Sequence, residues 1–324
     1  MTLRVIICAA PNLVCIHSWL LMANLRDIRN RIDSIENTKQ VTRAMKMVAA
    51  AKLRRAQERI FHARPYAYKL SELIAHLTDE LEDAGHPLFV APETDGVLLV
   101  VITADRGLAG AFNSNVIKTA EATIEERYTK ERARGDLYLL CVGRKGHEHF
   151  ERRDYQLVGD FRGVFDNLTF QLPQKIVEAA REGFEREIWS EVQVVYNEFK
   201  NTISQNRIVE PLLPLPEEQF LTPVMEEDAP PEQTSDHGVD YIFEPNARDI
   251  MDVLVPRFLN YQVWRALLES NAAEQGARMV AMDNATSNAE ELRDELQLKY
   301  NRARQNAITM EILDISSGAE ALSS

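Results

Sequence analysis

The last stretch of the chain, from Asn246 to about Leu322, restricts the possible folds more than any other. Pro256 interrupts it near its start, and Gly276 is its only glycine before Gly318. Apolar or small residues recur at Ala285, Ala289, Leu292, Leu296, Tyr300, Ala303, Ala307, Met310 and Leu313, in steps of three and four. That spacing is the seam of a coiled coil. A helix of this length reaches roughly 110 Å at ~1.5 Å per residue. A domain of ordinary size cannot enclose it, so it has to lie along a second long helix or inside another protein.

The second helix stands at the other end. Asn24 to Arg64 contains neither Gly nor Pro, and Ile28, Ile32, Ile35, Thr42, Met45, Ala49, Leu53, Ala56, Ile60 and Ala63 fall at steps of three, four or seven. Asn24 followed by Asp27 has the form of a capping box, with Asp in place of Glu or Gln. This segment carries eleven Lys or Arg against four Asp or Glu, whereas 247–324 carries eight against twelve. The 182 residues between, 65–246, carry seventeen against thirty-four. A basic helix beside an acidic one favours their pairing and leaves basic surface for an acidic partner. No aromatic interleaving or nucleic-acid motif accompanies the basic helix, so nucleic acid is the weaker reading of it.

Residues 307–315 (AITMEILDI) place apolar side chains on more than one helix face. A helix apolar most of the way round is buried by something. The first helix is too short to bury all of it, so the expectation is a surrounding protein.

The middle changes period. Val97–Thr103 is a continuous apolar run, the mark of a buried parallel strand. A loop, ADRGLAGAFNSN, follows, then a helix from about Val116 to Glu131, a second buried strand at Leu137–Val142 and a short helix near Lys145–Arg152. A third strand is expected at Tyr155–Val158, a helix at Phe170–Trp189 and an alternating strand at Glu191–Phe199. Ile208–Leu215 carries prolines and reads as an edge strand. Strands alternating with helices give a small open α/β sheet. After Pro65 the first helical pattern continues, broken, to about residue 85.

The expected fold is therefore an antiparallel coiled coil of the N- and C-terminal helices plus a central small α/β (Rossmann-like) sheet domain. Its segments are a non-native or disordered extension at 1–21, the first coiled-coil helix at 22–85, the α/β domain at 86–245 with an acidic loop at 216–240, and the last helix at 246–324. The opening segment, MTLRVIICAAPNLVCIHSWLL, resembles a signal peptide but is interrupted by Pro11, Asn12 and His17 and is short for a spanning helix. Translation is expected to begin at Met22. Cys8, Cys15 and Cys141 are too few and too scattered for a disulfide framework or a metal site, which fits a reducing compartment.

Asp105, Arg106, Gly107 and Gly110 sit between a strand and a helix, where a doubly wound fold binds phosphate. The spacing is G-x-x-G rather than G-x-G-x-x-G, no G-K-[ST] is present, and no acidic residue ends the second strand. A structural turn is the better reading. His147 and His149 read as solvated groups on an exposed helix. No nucleophile, base and orienting acid assemble anywhere, so no catalytic residue, cofactor or metal is expected.

Several segments together carry a family resemblance. MANLRDIRNRIDSIENTKQVTRAMKMVAAAKLRRAQ, ITADRGLAGAFNSNV, ISQNRIVEPLLPLP, DYIFEPN and ELQLKYNRARQNAITMEILDISSGAEAL are similar, in order from Met22 to the C-terminus, to the gamma subunit of F-type ATP synthase (bacterial type). The resemblance implies a rotor axle inside the ring of alpha and beta subunits. It also implies an α/β foot on the membrane c-ring with the epsilon subunit, at the cytoplasmic face of a bacterial plasma membrane. It implies coupling of ion flow to ATP synthesis, with catalysis in the beta subunits. By the same resemblance Met45, Arg278, Arg304, Gln305 and Thr309 are coupling contacts, and Ile308 and Ile312 meet an apolar sleeve. Plant-chloroplast relatives carry an inserted cysteine pair that 216–240 lacks, so no thiol regulation is expected. The rival readings are a free-standing coiled-coil scaffold or nucleic-acid-binding protein, and a nucleotide-binding enzyme using the loop at Asp105–Gly110.

Overall fold

A computed structural model describes residues 13–80, 87–215, 222–224, 244 and 246–323. The element order is α1 (Leu13–Glu80), β1 (Val97–Ile102), α2 (Phe112–Arg127), α3 (Thr129–Arg134), β2 (Leu137–Val142), α4 (Arg144–Glu151), β3 (Gln156–Leu157), α5 (Gln171–Glu185), β4 (Glu191–Phe199), β5 (Gln205–Leu213) and α6 (Ala247–Ser323). The chain forms two units, one of Met1–Met45 with Met282–Ser324, the other of Lys46–Ala281. Of the expected extension, residues 1–12 lie outside the described residues, whereas 13–21 are helical and belong to α1. Of the expected acidic loop, 216–221 and 225–240 lie outside the described residues.

The first unit is a helix pair. Three cross-helix contacts fix its direction: Arg293 with Glu36 at 3.5 Å, Lys39 with Glu290 at 2.8 Å, and Thr42 with Thr286 at 2.8 Å. As the number rises on α1 it falls on α6, so the helices are antiparallel. Their shielded positions follow heptads: 28, 32, 35, 39 and 42 on α1, and 282, 286, 289, 293, 296, 300, 303 and 307 on α6. The seam therefore runs through Thr286 and Arg293, and the expected Leu292 is exposed. Apolarity chose Leu292 because it neighbours the true position. The chain instead fills that position with a long polar residue, whose stem covers the seam while its head reaches Glu36.

The second unit is a five-stranded sheet in the order β3-β2-β1-β4-β5, with β5 antiparallel to β4 and the other pairs parallel. The proline-bearing β5 is the expected edge, and the ladder shifts register beside Pro211, where no N–H is available. Leu98, Val100, Ile102, Val192, Val194 and Tyr196 face a core shared with α1, α5 and α6. Val97, Leu99, Val101 and Val195 face a second core with α2 and Phe150 of α4. Burial on both faces is why β1 and β2 read as unbroken apolar runs.

Two expectations about α1 are corrected. Pro65 lies inside the helix rather than breaking it. A helix-interior proline costs about 3 kcal/mol, and the burial of Ile60, Leu70, Ile74 and Leu77 on either side outweighs it. Asn24 lies inside the helix, which begins at Leu13, and so is not at the N-cap position. The same N-x-x-D pattern does cap α6. There the Asn246 Oδ1 accepts the Asp249 N–H at 2.8 Å, and the Asn246 amide donates back to the Asp249 carboxylate at 2.8 Å.

Candidate functional site

Two regions compete as the functional site: the crevice at the C-terminal ends of the parallel strands and the free end of α6. The strand order reverses at β1 and β4, so the crevice beside their ends is where an open α/β sheet takes a ligand. Here α6 occupies it. The Glu269 carboxylate accepts the Phe199 N–H at 3.2 Å, and Gln205 donates its amide to the Ala273 carbonyl at 2.9 Å. A Cβ added at Gly276 would stand 3.3 Å from the Phe199 ring, and one at Gly110 3.7 Å from the Ala281 methyl. The chain's own helix thus packs against both the β1–α2 loop and the β4–β5 hairpin.

The loop carries no phosphate cradle but a carboxylate hub. Asp105 is buried, and its Oδ1 accepts the N–H groups of Gly163 at 2.7 Å and Arg144 at 3.0 Å, while Oδ2 accepts that of Phe165 at 3.0 Å. Asn113 accepts the Ala104 N–H at 2.8 Å, and Arg106 pairs with Asp166 at 3.0 Å. Three donors on one carboxylate close the loop over its own backbone. Nearby, Gly143 at φ +96° brings α4 onto the end of β1, where a Cβ would fall 2.0 Å from the Thr103 carbonyl oxygen.

The two histidines are not solvated as expected. His147 is buried against the sheet, with Nδ1 lacking a hydrogen-bond partner. His149 is half-buried, 2.8 Å from Glu121. Both follow from the strong sidedness of α4, whose His147 and Phe150 share its inward face. Cys141 is buried in β2, and burial pushes its thiol up to about 12. Among the described residues no cluster of His, Cys, Asp or Glu has the form of a metal site.

The free end of α6 answers the description of a contact surface. Ile308, Ile312 and Ile315 are 49%, 60% and 67% exposed, and Met310 and Leu313 are exposed as well. At ~100° per residue the isoleucines share one face while Met310 and Leu313 point to the opposite side. Arg304, Gln305 and Thr309 are exposed among them, and the Thr309 hydroxyl donates to the Gln305 carbonyl at 2.9 Å. Five expected site residues, Arg304, Gln305, Ile308, Thr309 and Ile312, therefore fall together within nine positions.

The other two stand apart. Met45 is half-buried next to the Thr42–Thr286 layer, about five helical turns from Arg304. Arg278, expected as a coupling contact, is buried in the second unit, where it donates to Glu274. It sits on the length of α6 that fills the crevice, so its surroundings are protein rather than solvent. Burial raises the Glu274 carboxyl above its usual range, against the opposing pull of Arg278.

Sequence reasoning missed the charges buried between α6 and strands β4 and β5. Glu198, Glu210, Arg265 and Glu269 are all nearly inaccessible. The signal present in the sequence was a charged residue at the inward position of an otherwise alternating or periodic apolar segment.

The family model described as ATP synthase matches residues 24–322. The ATP synthase gamma chain of Salinibacter ruber is 70% identical over 304 residues, spanning 93% of this chain and 99% of that one. The ATP synthase gamma chain of Chlorobium chlorochromatii is 48% identical over 302 residues, with the same coverage. Among solved structures, a chain of the Euglena gracilis mitochondrial ATP synthase (OSCP/F1/c-ring, rotational state 3) superposes with a TM-score of 0.60 at 20% identity, covering 93% of this chain and 95% of that one. A rotor chain of the same assembly gives 0.58 at 20% identity over 88% of this chain. These two show the fold. With the family matched along nearly its whole length and a relative identical at seven positions in ten, the chain belongs to the ATP synthase gamma-chain family.

Proposed function

We propose that the chain is the central rotor of an F-type ATP synthase, transmitting rotation between a membrane ion-driven ring and a catalytic ring whose sites it does not itself contain. The observation that carries this reading is the end of α6: a well-formed helix that presents isoleucines on one side and Met310 and Leu313 on the other, left exposed by the described residues. Such a surface is stable only inside a partner. The structurally similar chains belong to a mitochondrial ATP synthase rotor and an OSCP/F1/c-ring assembly. The partners that fit this chain are alpha and beta subunits around the coiled coil, and epsilon and the c-ring at the α/β body.

The mechanism follows from asymmetry. A single helix pair inside a ring of equivalent sites touches each site differently at any instant. Each contact biases its site among open and closed states through differential contact free energy. Turning the helix pair moves that bias from site to site, and hydrolysis reverses the direction. Ile308 and Ile312 meet an apolar sleeve. Arg304, Gln305, Thr309 and Met45 make the coupling contacts, and Arg278 acts from within the body through Glu274. Among the described residues no helix is long and apolar enough to cross a membrane. The chain would join the membrane complex from its cytoplasmic face, through its partners.

The test is Arg304→Ala with Gln305→Ala in the assembled complex. Both side chains are exposed, and surface substitutions change stability within about ±0.5 kcal/mol. Subunit stoichiometry should be normal while turnover or ion pumping per ATP falls. Unchanged assembly, turnover and pumping would reduce both residues to helix surface.

A further inference from the structure

Under α6 lies a fully buried polar cluster that the rotor reading does not explain. Glu210 of β5 accepts three hydrogen bonds. Its Oε1 takes one from the Arg265 guanidinium and one from the Gln262 amide at 3.2 Å, and its Oε2 takes one from the Tyr196 hydroxyl at 2.8 Å. Arg265 also donates to the Tyr196 oxygen at 3.2 Å. Tyr196, Glu210 and Arg265 are all buried. Burial alone works against the Arg265 charge, but Glu210, Tyr196 and Glu269 outweigh it and hold the guanidinium protonated.

Removing an ion pair from water costs more than a well-packed apolar substitute, so a cluster of this kind is a poor device for stability. It is a good device for register. The apolar face of α6 needs one. Met251, Val255, Leu259, Val263 and Leu267 are all buried in the shared core and recur every four residues without a break. Sliding the helix by four residues, about 6 Å, would set each of them close to its neighbour's place. Apolar packing alone distinguishes these positions weakly.

The polar cluster distinguishes them strongly. A four-residue slip in one direction brings Glu269 to the place of Arg265, opposite the buried Glu210 carboxylate. A slip in the other direction brings Tyr261 there and leaves Glu210 without its cation. It would also detach Glu269 from the Phe199 N–H and Gln205 from the Ala273 carbonyl.

We propose that Arg265, Glu210 and Tyr196 form a register lock, positioning residues that stop α6 from slipping along the sheet when the rotor bears load. The proposal rests on the rotor reading. A shaft that slipped by a turn would let the ends of the molecule lose step while every catalytic contact remained in place.

The experiment uses the intact complex reconstituted in lipid vesicles, with ATP-driven ion pumping measured against increasing opposing gradients. Omitting the chain tests the rotor reading: pumping must vanish, and pumping without the chain overturns that reading along with the lock. The lock itself is tested with Arg265→Met, Glu210→Leu and Tyr196→Phe together, which remove the polar cluster and keep a packed core. The expected result is normal assembly and near-normal ATP hydrolysis at zero gradient, with ions pumped per ATP falling several-fold as the gradient rises. Spin labels at Arg207→Cys on β5 and Arg257→Cys on α6, both exposed positions, should then show a second distance under load in the triple variant only. Pumping equal to the unmodified complex at every gradient, with one unshifted distance, overturns the lock. A triple variant that fails to assemble also overturns it, because the cluster would then serve folding rather than register.

Discussion

At Asp105 a single carboxylate accepts backbone N–H groups from two loops far apart in sequence, before α4 and after β3. The sequence offered a D-R-G turn at a strand end and nothing to say which amides converge on it. Its structural role was legible, and its partners were not. Asp105→Asn keeps the size and replaces one acceptor oxygen with a donor, leaving a buried N–H facing an N–H. That should cost about 1–3 kcal/mol, read as a lower urea midpoint with an unchanged slope. An unchanged midpoint would show that water substitutes for the lost acceptor. The buried charges of the register lock were hidden from sequence reasoning for a similar reason. Arg265 and Glu210 each look like a solvated residue on a helix or an edge strand until the two elements are placed face to face.

The elements themselves were largely legible. β2 and β4 occupy the expected residues, Leu137–Val142 and Glu191–Phe199: burial on both faces makes β2 an apolar run that few other structures require, and β4 was legible from its alternation. The helix expected at Val116–Glu131 is instead α2 and α3, divided at Tyr128. The coiled-coil seam was legible in period and misjudged in register, since Leu292 and Arg293 are adjacent and only their partner helix distinguishes them. Paired substitutions test the corrected register. Leu296 is 8% exposed and Leu292 46%. Leu296→Ala should destabilise the purified chain by about 2 kcal/mol, whereas Leu292→Ala should stay within about 0.5 kcal/mol of the unmodified chain. Equal losses in thermal unfolding, or the reverse order, would return Leu292 to the seam.

At the scale of the whole molecule, two terminal helices and a sheet formed between them could be read from periodicity and a change of period. That α6 fills the sheet's ligand crevice could not, because small residues at Ala272, Ala273, Gly276 and Ala277 look like any close helix contact until their partner is known. The exposed apolar end of α6 was legible, since it needed only the length of α1 and the distribution of side chains round a helix. A central rotor has to turn. Cys8 and Cys15 would be replaced by Ser, leaving Cys141 buried with its thiol pushed up to about 12 by that burial. A Lys175→Cys substitution on the exposed side of α5 would then carry a single optical probe, with the catalytic ring fixed to a surface. During ATP hydrolysis the probe should rotate in one direction, pausing at three positions per turn. Steady hydrolysis under a stationary probe would contradict the account.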